Sequence, residues 1–394
     1  MNPFDPTAEY SAIRDGVAQI CAGFPGKYWR DLDARREYPE AFVQALVQSG
    51  YLAAMIPEEY GGSGLNLAAS AVILEEIHRN GCNAGACHAQ MYTMGTVLRH
   101  GSAEQKRQYL PKIADGSLRL QAFGVTEPGS GTDTLALATT ARRDGDDYVV
   151  NGQKIWISRA QHSDLMVLLA RTGTRETQQK RTDGLSVFLI DLRKLVGNGV
   201  TINPVRTMIN HATTEVFFDN ARIPASALIG EEGKGFRYIL SGMNAERILI
   251  AAECIGDAKW FLEKGSAYAR QRVVFGHPIG RNQGVQFPLA RAYAHMLAAE
   301  AIVYRAAAIY DSGTDPGVEA NAAKMLAADA SWEAGEACLQ THGGFGFAEE
   351  YDVERKFRET RLYQVAPIST NLILCFLAEK VLGLPKSYGQ ERQP

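Results

Sequence analysis

Two glycine- and hydroxyl-rich segments of the chain have the residue types of a cofactor-binding cradle. The first runs from Val125 to Asp133, and the second, Asn151 to Ser158, places Trp156 two residues before Ser158 on a strand-like run. Glycines expose backbone N–H groups, which bind anions or the electron-rich edge of a ring. Either segment alone is typical of a turn between strands. Two such segments flanking one strand pair favour a cofactor site.

A carboxyl group interrupts an apolar stripe further along the chain. Ile239, Met243 and Ile250 recur at roughly helical spacing, and Glu246 falls on the same stripe. Burial disfavours the charged form of a carboxyl group and raises its pKa, which makes it a useful general base near neutral pH. A pairing of Glu246 with Arg247, or with a distant arginine at a helix interface, explains the pattern equally well.

Two helix ends carry candidates for anion binding. Arg272 closes a long predicted helix, where a cation is favourable by roughly 0.3–1 kcal/mol without any ligand. Gly343 and Gly344 follow another apolar helix, where glycines usually terminate the helix but also let the backbone approach a phosphate. Helix capping is the simpler local interpretation of both.

Composition bounds the class of protein. The 394 residues suffice for two or three domains, and 46% hydrophobic with 22% charged residues is typical of a soluble globular protein. A net charge of −3 offers no basic surface, so we expect no nucleic-acid partner. The six cysteines show no CxxC pairs or histidines at metal spacing, so we expect no metal site. Because we find no signal-like or membrane-spanning segment, we expect a cytoplasmic protein without a membrane partner.

The pattern of residue types along the chain changes twice. Amphipathic helices are predicted first, then short strands rich in β-branched and aromatic residues, then helices again. We therefore predict an α+β fold with an all-α domain at 1–120, a β-sandwich or barrel domain at 121–230, and an α domain resembling a four-helix bundle at 231–394. No GxGxxG pattern follows a strand and opens a helix, which argues against a nicotinamide Rossmann domain. The predicted strands are Leu137–Arg143, Tyr148–Ile157, Leu165–Arg171, Leu185–Asp191, Val200–Val205 and Thr214–Asp219.

Five motifs, in this order, resemble the acyl-CoA dehydrogenase family over nearly the whole chain. They are VTEPGSGTD, NGQKIWIS, RVVFG at the end of a long helix, the QTHGGFGF turn and RLYQ near the C-terminus. The resemblance implies an FAD enzyme with helical, β and helical domains, usually a homotetramer. It also implies oxidation of the α,β carbon bond of an acyl-CoA thioester and electron transfer to an electron-transfer flavoprotein.

The resemblance also implies which residues bind the cofactor and the substrate. Around the flavin ring it places Phe123, Val125, Thr126, Trp156 and Ser158, with the Ser158 hydroxyl near N5. On the diphosphate and adenosine of a neighbouring subunit's FAD it places Arg272, Phe275, Gln283, Gln340, Gly343 and Gly344. It aligns two further residues with FAD contacts, Ser369 and Asn371. On the CoA portion it places Thr132, Asn244 and Arg247.

The family offers two positions for the catalytic base. Many members carry it in a Tyr-Glu-Gly-Thr segment after the RLYQ-like run, where this chain has Pro367 in place of the glutamate. Members of the isovaleryl and long-chain type instead supply a glutamate directly before an arginine of the middle helix, and Glu246-Arg247 matches that variant. We therefore predict that Glu246 removes the α proton while flavin N5 takes the β hydride.

Pro367 raises a difficulty, because the family uses the backbone N–H at that position to help polarise the thioester carbonyl. Proline has no N–H, and losing one such donor typically costs on the order of 100- to 1000-fold in turnover. Either the Ile368 N–H or a shifted backbone replaces it, or the register differs by one residue, or the reaction is not plain dehydrogenation. The competing functions are a flavin oxidase or monooxygenase on the same fold and an acyl-CoA-binding flavoprotein with impaired catalysis.

The sequence gives little information about which acyl groups the protein would accept. The first-domain helix expected to line the acyl pocket carries His88, Gln90 and Tyr92, which favour short, branched or functionalised acyl groups unless they face solvent or a neighbouring helix. The segment from Met208 to His211 departs from the Met-Gly-x-Arg pattern common in the family, and the sequence assigns it no function.

Overall fold

Helices form both ends of the chain and strands form its middle, as the sequence predicts. The structure is a computed structural model, and it describes residues 8–173, 180 and 182–387. The first part contains six α-helices: α1 (Ser11–Ala22), α2 (Gly26–Arg35), α3 (Glu40–Gln48), α4 (Leu67–Arg79), α5 (Gly85–His100) and α6 (Ala103–Ala114). A capping box starts α6, because the side chains of Ser102 and Gln105 each bind the other's backbone N–H.

The middle of the chain forms one connected sheet of eight strands, with a short helix, α7 (Leu192–Leu195), between the fifth and sixth. The strands are β1 (Leu120–Gly124), β2 (Thr140–Asp144), β3 (Asp147–Ser158), β4 (Leu165–Arg171), β5 (Leu185–Asp191), β6 (Val200–Pro204), β7 (Thr213–Pro224) and β8 (Leu228–Ile229). Their order is β6-β7-β3-β2-β4-β5-β8, and β1 pairs in parallel with β4. This topology brings β1 and the end of β3 to the helical side of the molecule, where α5 packs on β1.

The last part of the chain is dominated by long helices. They are α8 (Gly235–Gln271), α9 (Gln283–Asp311), α10 (Gly317–His342), α11 (Val353–Arg361) and α12 (Thr370–Phe376), with a small hairpin of β9 (Val273–Val274) and β10 (His277–Pro278) after α8. Helix α8 packs against α10, α9, α4 and α5, so the first and last helical parts share one apolar core. No helix of the described ranges is long and apolar enough to cross a membrane.

A chain of buried charges crosses this helical core. Lys356 on α11 contacts the Asp257 carboxylate on α8, and His78 Nδ1 on α4 lies 2.8 Å from Asp257 Oδ1. All three side chains are fully buried. Burial raises the pKa of Asp257, but the charges of Lys356 and His78 outweigh it and lower that pKa below its ordinary value. The three helices are therefore held together by an ion pair that water cannot replace.

We expect Asp257→Ala to destabilise the fold strongly, because it leaves the buried Lys356 ammonium without its counterion. The loss in free energy of unfolding should be about 3–5 kcal/mol, measured by urea unfolding at neutral pH. Asp31→Ala is the matched control, since Asp31 also pairs with a lysine, Lys27, but at an exposed site where no measurable change is expected. Equal effects of the two substitutions would contradict this account.

Candidate active site

Glu246 lies in the fourth turn of α8 and is buried, with 8% of its surface exposed. In the part of the chain that the structure describes, it has no hydrogen bond and no ion pair. The neighbouring Arg247 instead donates from Nη1 to Asn244 Oδ1 at 2.8 Å. Burial raises the pKa of Glu246, and the charges of His88, Arg247 and Lys324 lower it only in part. Of the two explanations that the sequence left open, the ion pair with Arg247 is wrong.

Tyr92 connects Glu246 to the sheet. Its ring makes an edge contact with Phe123 of β1 at 5.4 Å between centroids, and it also contacts the His88 ring at 5.1 Å. Burial, and after it the charge of Glu246, raises the pKa of the Tyr92 phenol. His88 and Gln90 are buried and do not face solvent: His88 Nδ1 lies 3.1 Å from Glu253 Oε1 of α8, and Gln90 donates to the Leu52 carbonyl at 3.3 Å.

The two glycine- and hydroxyl-rich segments meet at the same edge of the sheet. The N–H of Ile155 donates to the carbonyl of Thr126 at 2.9 Å, which joins the strand before Trp156 to the segment after Val125. A register shift interrupts the β3–β7 pairing between Lys154 and Ile157. Within that shift Trp156 has φ of 60° and leaves 58% of its surface exposed. Backbone strain combined with an uncovered aromatic face is typical of a ligand site.

An ion pair that the sequence reasoning missed fixes this cradle. Lys154 Nζ lies 2.8 Å from Glu127 Oε1 and donates to the Val125 carbonyl at 3.0 Å. Glu127 also accepts from the N–H groups of Ala138 and Thr139 at 2.6 and 3.0 Å. Burial lowers the pKa of Lys154 to about 8 despite the attraction of Glu127. The sequence offered one sign of this ion pair: Lys154 occupies an inward-facing position of a predicted strand in which apolar and polar residues alternate.

The residues predicted to bind CoA are brought together in part. Asn244 links Arg247 to Asp315, because it accepts from Arg247 and donates to Asp315 Oδ1 at 3.1 Å. The Nε of Arg247 is buried and finds no hydrogen-bond acceptor among the described residues. Thr132 is exposed in the turn after Gly131 and has no direct hydrogen bond to either side chain in the described ranges.

The segment around Pro367 lies on the Glu246 side of the helices. Lys324 of α10 donates from Nζ to the Ile368 carbonyl at 2.8 Å, and its charge also acts on the pKa of Glu246. Ser369 caps α12 by accepting from the Leu372 N–H at 3.4 Å, and Asn371 is exposed on the first turn of that helix.

The six residues expected on a neighbouring subunit's cofactor gather at the opposite end of α8. Arg272 follows Glu246 by 26 residues, roughly 39 Å at the helical rise of about 1.5 Å per residue. Its guanidinium carbon lies 5.6 Å from the centre of the Phe345 ring, which joins it to the turn at the end of α10. This end carries exposed residues from three helix termini: Arg272, Phe275, Gln283, Gln340, Gly343 and Gly344. The structure therefore separates the predicted FAD contacts into two sets.

Both sets combine accessible backbone with an exposed aromatic side chain. A Cβ atom built on Gly129, Gly131, Gly343 or Gly344 meets no atom within 4 Å, so open space borders their backbone. Trp156 offers an apolar face at one set, and Phe275, 96% exposed, offers one at the other. Exposed aromatic surface beside accessible backbone suits a cofactor with one flat ring system and one phosphate-bearing arm.

We expect Lys154→Met to destabilise the sheet domain, because it leaves the buried Glu127 carboxylate without its cation. The loss in free energy of unfolding should be about 3 kcal/mol or more, measured by chemical unfolding. Lys234→Met is the matched control, since Lys234 pairs with Asp183 at an exposed site. A wild-type midpoint for Lys154→Met would refute the role assigned to this pair.

Comparison with known proteins agrees with this architecture. Models of the acyl-CoA dehydrogenase N-terminal, middle and C-terminal domains match residues 7–117, 122–221 and 233–375. The acyl-CoA dehydrogenase fadE12 of Mycobacterium bovis is 33% identical over 390 residues, covering 98% of this chain and 99% of that protein. Butyryl-CoA dehydrogenase from Megasphaera elsdenii superposes with a TM-score of 0.88 at 27% identity, over 96% of this chain and 99% of that one. Glutaryl-CoA dehydrogenase, solved with glutaryl-CoA, superposes with a TM-score of 0.90 at 28% identity, over 99% of both chains. The chain thus belongs to the acyl-CoA dehydrogenase family, whose members are FAD-dependent oxidoreductases acting on CH–CH bonds.

Proposed function

We propose that this protein oxidises the α,β bond of an acyl-CoA thioester to the 2-enoyl-CoA, with Glu246 as the base that removes the α proton. The observation that carries the proposal is the isolation of Glu246. It is buried, unpaired within the described ranges, and adjacent to Tyr92, whose ring contacts Phe123 beside the cradle. A carboxylate in such surroundings gains affinity for a proton and stays close to the reacting carbon.

The proposed cofactor-binding residues serve the second step of the reaction, the transfer of a hydride from the β carbon. When bound, FAD supplies the acceptor for the hydride that leaves the β carbon. Five residues at the edge of the sheet would hold its ring: Phe123, Val125, Thr126, Trp156 and Ser158. The Glu127–Lys154 pair keeps the backbone of this segment in place, so these groups need no rearrangement on binding. Ser369 and Asn371 are the proposed contacts from the other side of the site.

Substrate binding is assigned to the polar side chains at the start of α8. Asn244 and Arg247 would hold the CoA portion, and the unpartnered Nε of Arg247 supplies a free donor for it. Thr132, exposed in its turn, would contact the same arm. Among the relatives, butyryl-CoA dehydrogenase and glutaryl-CoA dehydrogenase carry CoA thioesters in their names, which supports this class of substrate.

The distance along α8 between the two sets of predicted FAD contacts supports a homo-oligomer. One FAD molecule is too short to reach from the surroundings of Glu246 to Arg272, roughly 39 Å away. The set around Arg272 would therefore contact the cofactor of a neighbouring subunit, and its exposed Phe275 and Phe347 would be covered in the assembly. We propose a homotetramer in the cytoplasm with an electron-transfer flavoprotein as the electron acceptor. The domain limits near residues 120 and 230 also stay predictions.

We expect Glu246→Gln to keep FAD and to bind acyl-CoA but to lose flavin reduction by about 100-fold or more, because the amide cannot accept the proton. The measurement is anaerobic rapid mixing with saturated acyl-CoAs, followed by flavin absorbance. Glu333→Gln on the surface of α10 serves as the control. Reduction at the wild-type rate would assign the base to another residue.

Glu246→Gln should also change how the free energy of unfolding depends on pH. The pKa of Glu246 is raised above the ordinary value of 4.5, so its ionised form is disfavoured in the folded state. Below pH 4.5 the folded and unfolded carboxyl groups are both protonated, and the variant should match the wild type. As pH rises through the folded-state pKa, Glu246→Gln should become more stable than the wild type, by about 1.4 kcal/mol for each unit of raised pKa.

We expect Arg272→Ala to weaken FAD retention, because it removes the cation proposed for the diphosphate. Flavin per polypeptide after gel filtration should fall several-fold, and the fall should grow with dilution if a neighbouring subunit supplies this arginine. Arg222→Ala, on the exposed face of β7, is the control. Full FAD content in Arg272→Ala would remove this residue from the site.

A further inference from the structure

Arg159 is a buried arginine that the proposed reaction does not use. It follows Ser158 directly at the end of β3, has φ of 61°, and leaves 5% of its surface exposed. No carboxylate lies within ion-pair distance of its guanidinium in the described ranges. Burial lowers the pKa of Arg159, although the nearby Tyr38, Tyr92, Glu253 and Tyr363 oppose that effect. An interior cation without a bonded anion is rare in folded proteins.

The groups that touch the guanidinium do not satisfy it. Nη2 lies 3.3 Å from Nδ1 of His211 and Nη1 lies 3.5 Å from its Nε2. A neutral imidazole has one acceptor nitrogen, so at most one of the five N–H groups of Arg159 is paired there. Burial, and then the charge of Arg159, lowers the pKa of His211 and keeps it neutral. His211 belongs to the segment for which the sequence gave no role.

The guanidinium points at the start of α5. A Cβ atom on Gly85, the first residue of that helix, would lie 2.1 Å from Nη2, so only glycine leaves room for it. A cavity of about 30 Å³ adjoins this point, and Arg159, His211, Asn83 and Ala86 are part of its lining. That volume holds about two water molecules, or a carboxylate group in their place. The positive end of α5 and the arginine thus face the same small space.

The carboxylates near this cavity already have partners. Asp33 pairs with Arg358 at 2.7 Å, and Glu359 pairs with Arg355 at 2.8 Å. Glu253 acts on the pKa of Arg159, but its Oε1 lies 3.1 Å from His88 Nδ1. The uncompensated charge at the cavity is therefore the positive charge of Arg159.

Helix α5 joins the surroundings of Arg159 to those of Glu246, because Gly85 at its start abuts the guanidinium and Tyr92 lies further along it. Tyr92 is within the electrostatic reach of both groups, because Glu246 raises its pKa, after burial, and Arg159 lowers it. Tyr92 is seven residues from Gly85 on α5, which corresponds to roughly 10 Å along the helix. An acyl chain that runs along α5 from Glu246 would reach Arg159 at the start of that helix.

We propose that Arg159 binds a carboxylate at the far end of the acyl group, so that the substrate is the mono-CoA thioester of a dicarboxylic acid. The planar guanidinium offers two parallel N–H donors to such a group, and His211 holds the guanidinium in position. An acyl chain with an uncharged end leaves Arg159 unpaired in the interior, which discriminates against that substrate. This inference rests on the proposed function and adds its substrate class.

The test compares matched substrates on the FAD-loaded enzyme. Mono-CoA thioesters of the glutaric to suberic acids are measured against the methyl esters of the same compounds and against unsubstituted acyl-CoAs of equal length. Anaerobic flavin reduction gives kcat/KM, and calorimetry on Glu246→Gln gives binding without turnover. We expect a preference for the free carboxylate on the order of 100-fold in both measurements.

Two variants of Arg159 test whether this arginine causes the preference for the free carboxylate. Arg159→Gln should lose the preference, so that the free carboxylates and their methyl esters react with similar kcat/KM, and Arg159→Lys should retain part of it because the charge remains. Arg222→Gln on the sheet surface should leave it unchanged. If Arg159→Gln does not fold, the wild-type comparison and Arg159→Lys still decide the question.

The outcomes separate the two proposals. Flavin reduction by uncharged acyl-CoAs at equal or higher kcat/KM overturns the carboxylate site and leaves dehydrogenation standing. A carboxylate preference that survives Arg159→Gln overturns the role of this arginine. Flavin reduction by none of the thioesters overturns the proposed function and, with it, this substrate class.

Discussion

The burial of one ionisable carboxyl group without a counterion is the constraint on which the proposed chemistry depends. Moving a carboxylate from water to a protein interior costs several kcal/mol unless cations or hydrogen bonds compensate. At Glu246 the charges of His88, Arg247 and Lys324 act from a distance, and none of them bonds to it among the described residues. The carboxyl group is therefore reluctant to ionise, and once ionised it takes a proton readily.

The rest of the helical core keeps that arrangement in place. Neighbouring acids on the same helix have close partners, since Glu253 Oε1 lies 3.1 Å from His88 Nδ1 and Asp257 contacts both His78 and Lys356. These pairs fix α4, α5, α8 and α11 relative to one another, so Glu246 cannot turn away to find a partner. Arg159 carries the opposite charge and has no ion-pair partner among the described residues, since its contact is with the imidazole of His211.

Local sequence patterns were enough to predict much of the fold. Strands Leu165–Arg171 and Leu185–Asp191 are found at their predicted limits, because continuous apolar runs between polar residues specify both ends. The strand predicted at Leu137–Arg143 instead spans Thr140–Asp144, since Glu127 binds the N–H groups of Ala138 and Thr139 and holds them out of the sheet. Strand β1 was not predicted, because its pairing with β4 joins residues far apart in the chain.

A residue of the candidate site could be predicted from the sequence only where its type is unusual for its position in a local pattern. Glu246 stood out because a carboxylate on an apolar stripe breaks the helical pattern, but its lack of a partner depends on Arg247 bonding to Asn244 instead. The pairs Glu127–Lys154 and Arg159–His211 join residues 27 and 52 positions apart, so no local pattern reveals them. Their effects arise from tertiary contacts between β3 and its neighbouring loops.

The protonation state of Glu246 is the quantity that tests this account most directly. Infrared difference spectra between wild type and Glu246→Gln, recorded across a pH series, isolate the carbonyl band of that one carboxylic acid. The account predicts a protonated band that persists above pH 4.5 and is absent from the variant. A carboxylate that is fully ionised down to pH 4.5 would contradict it, because Glu246 would then have a partner that stabilises its charge.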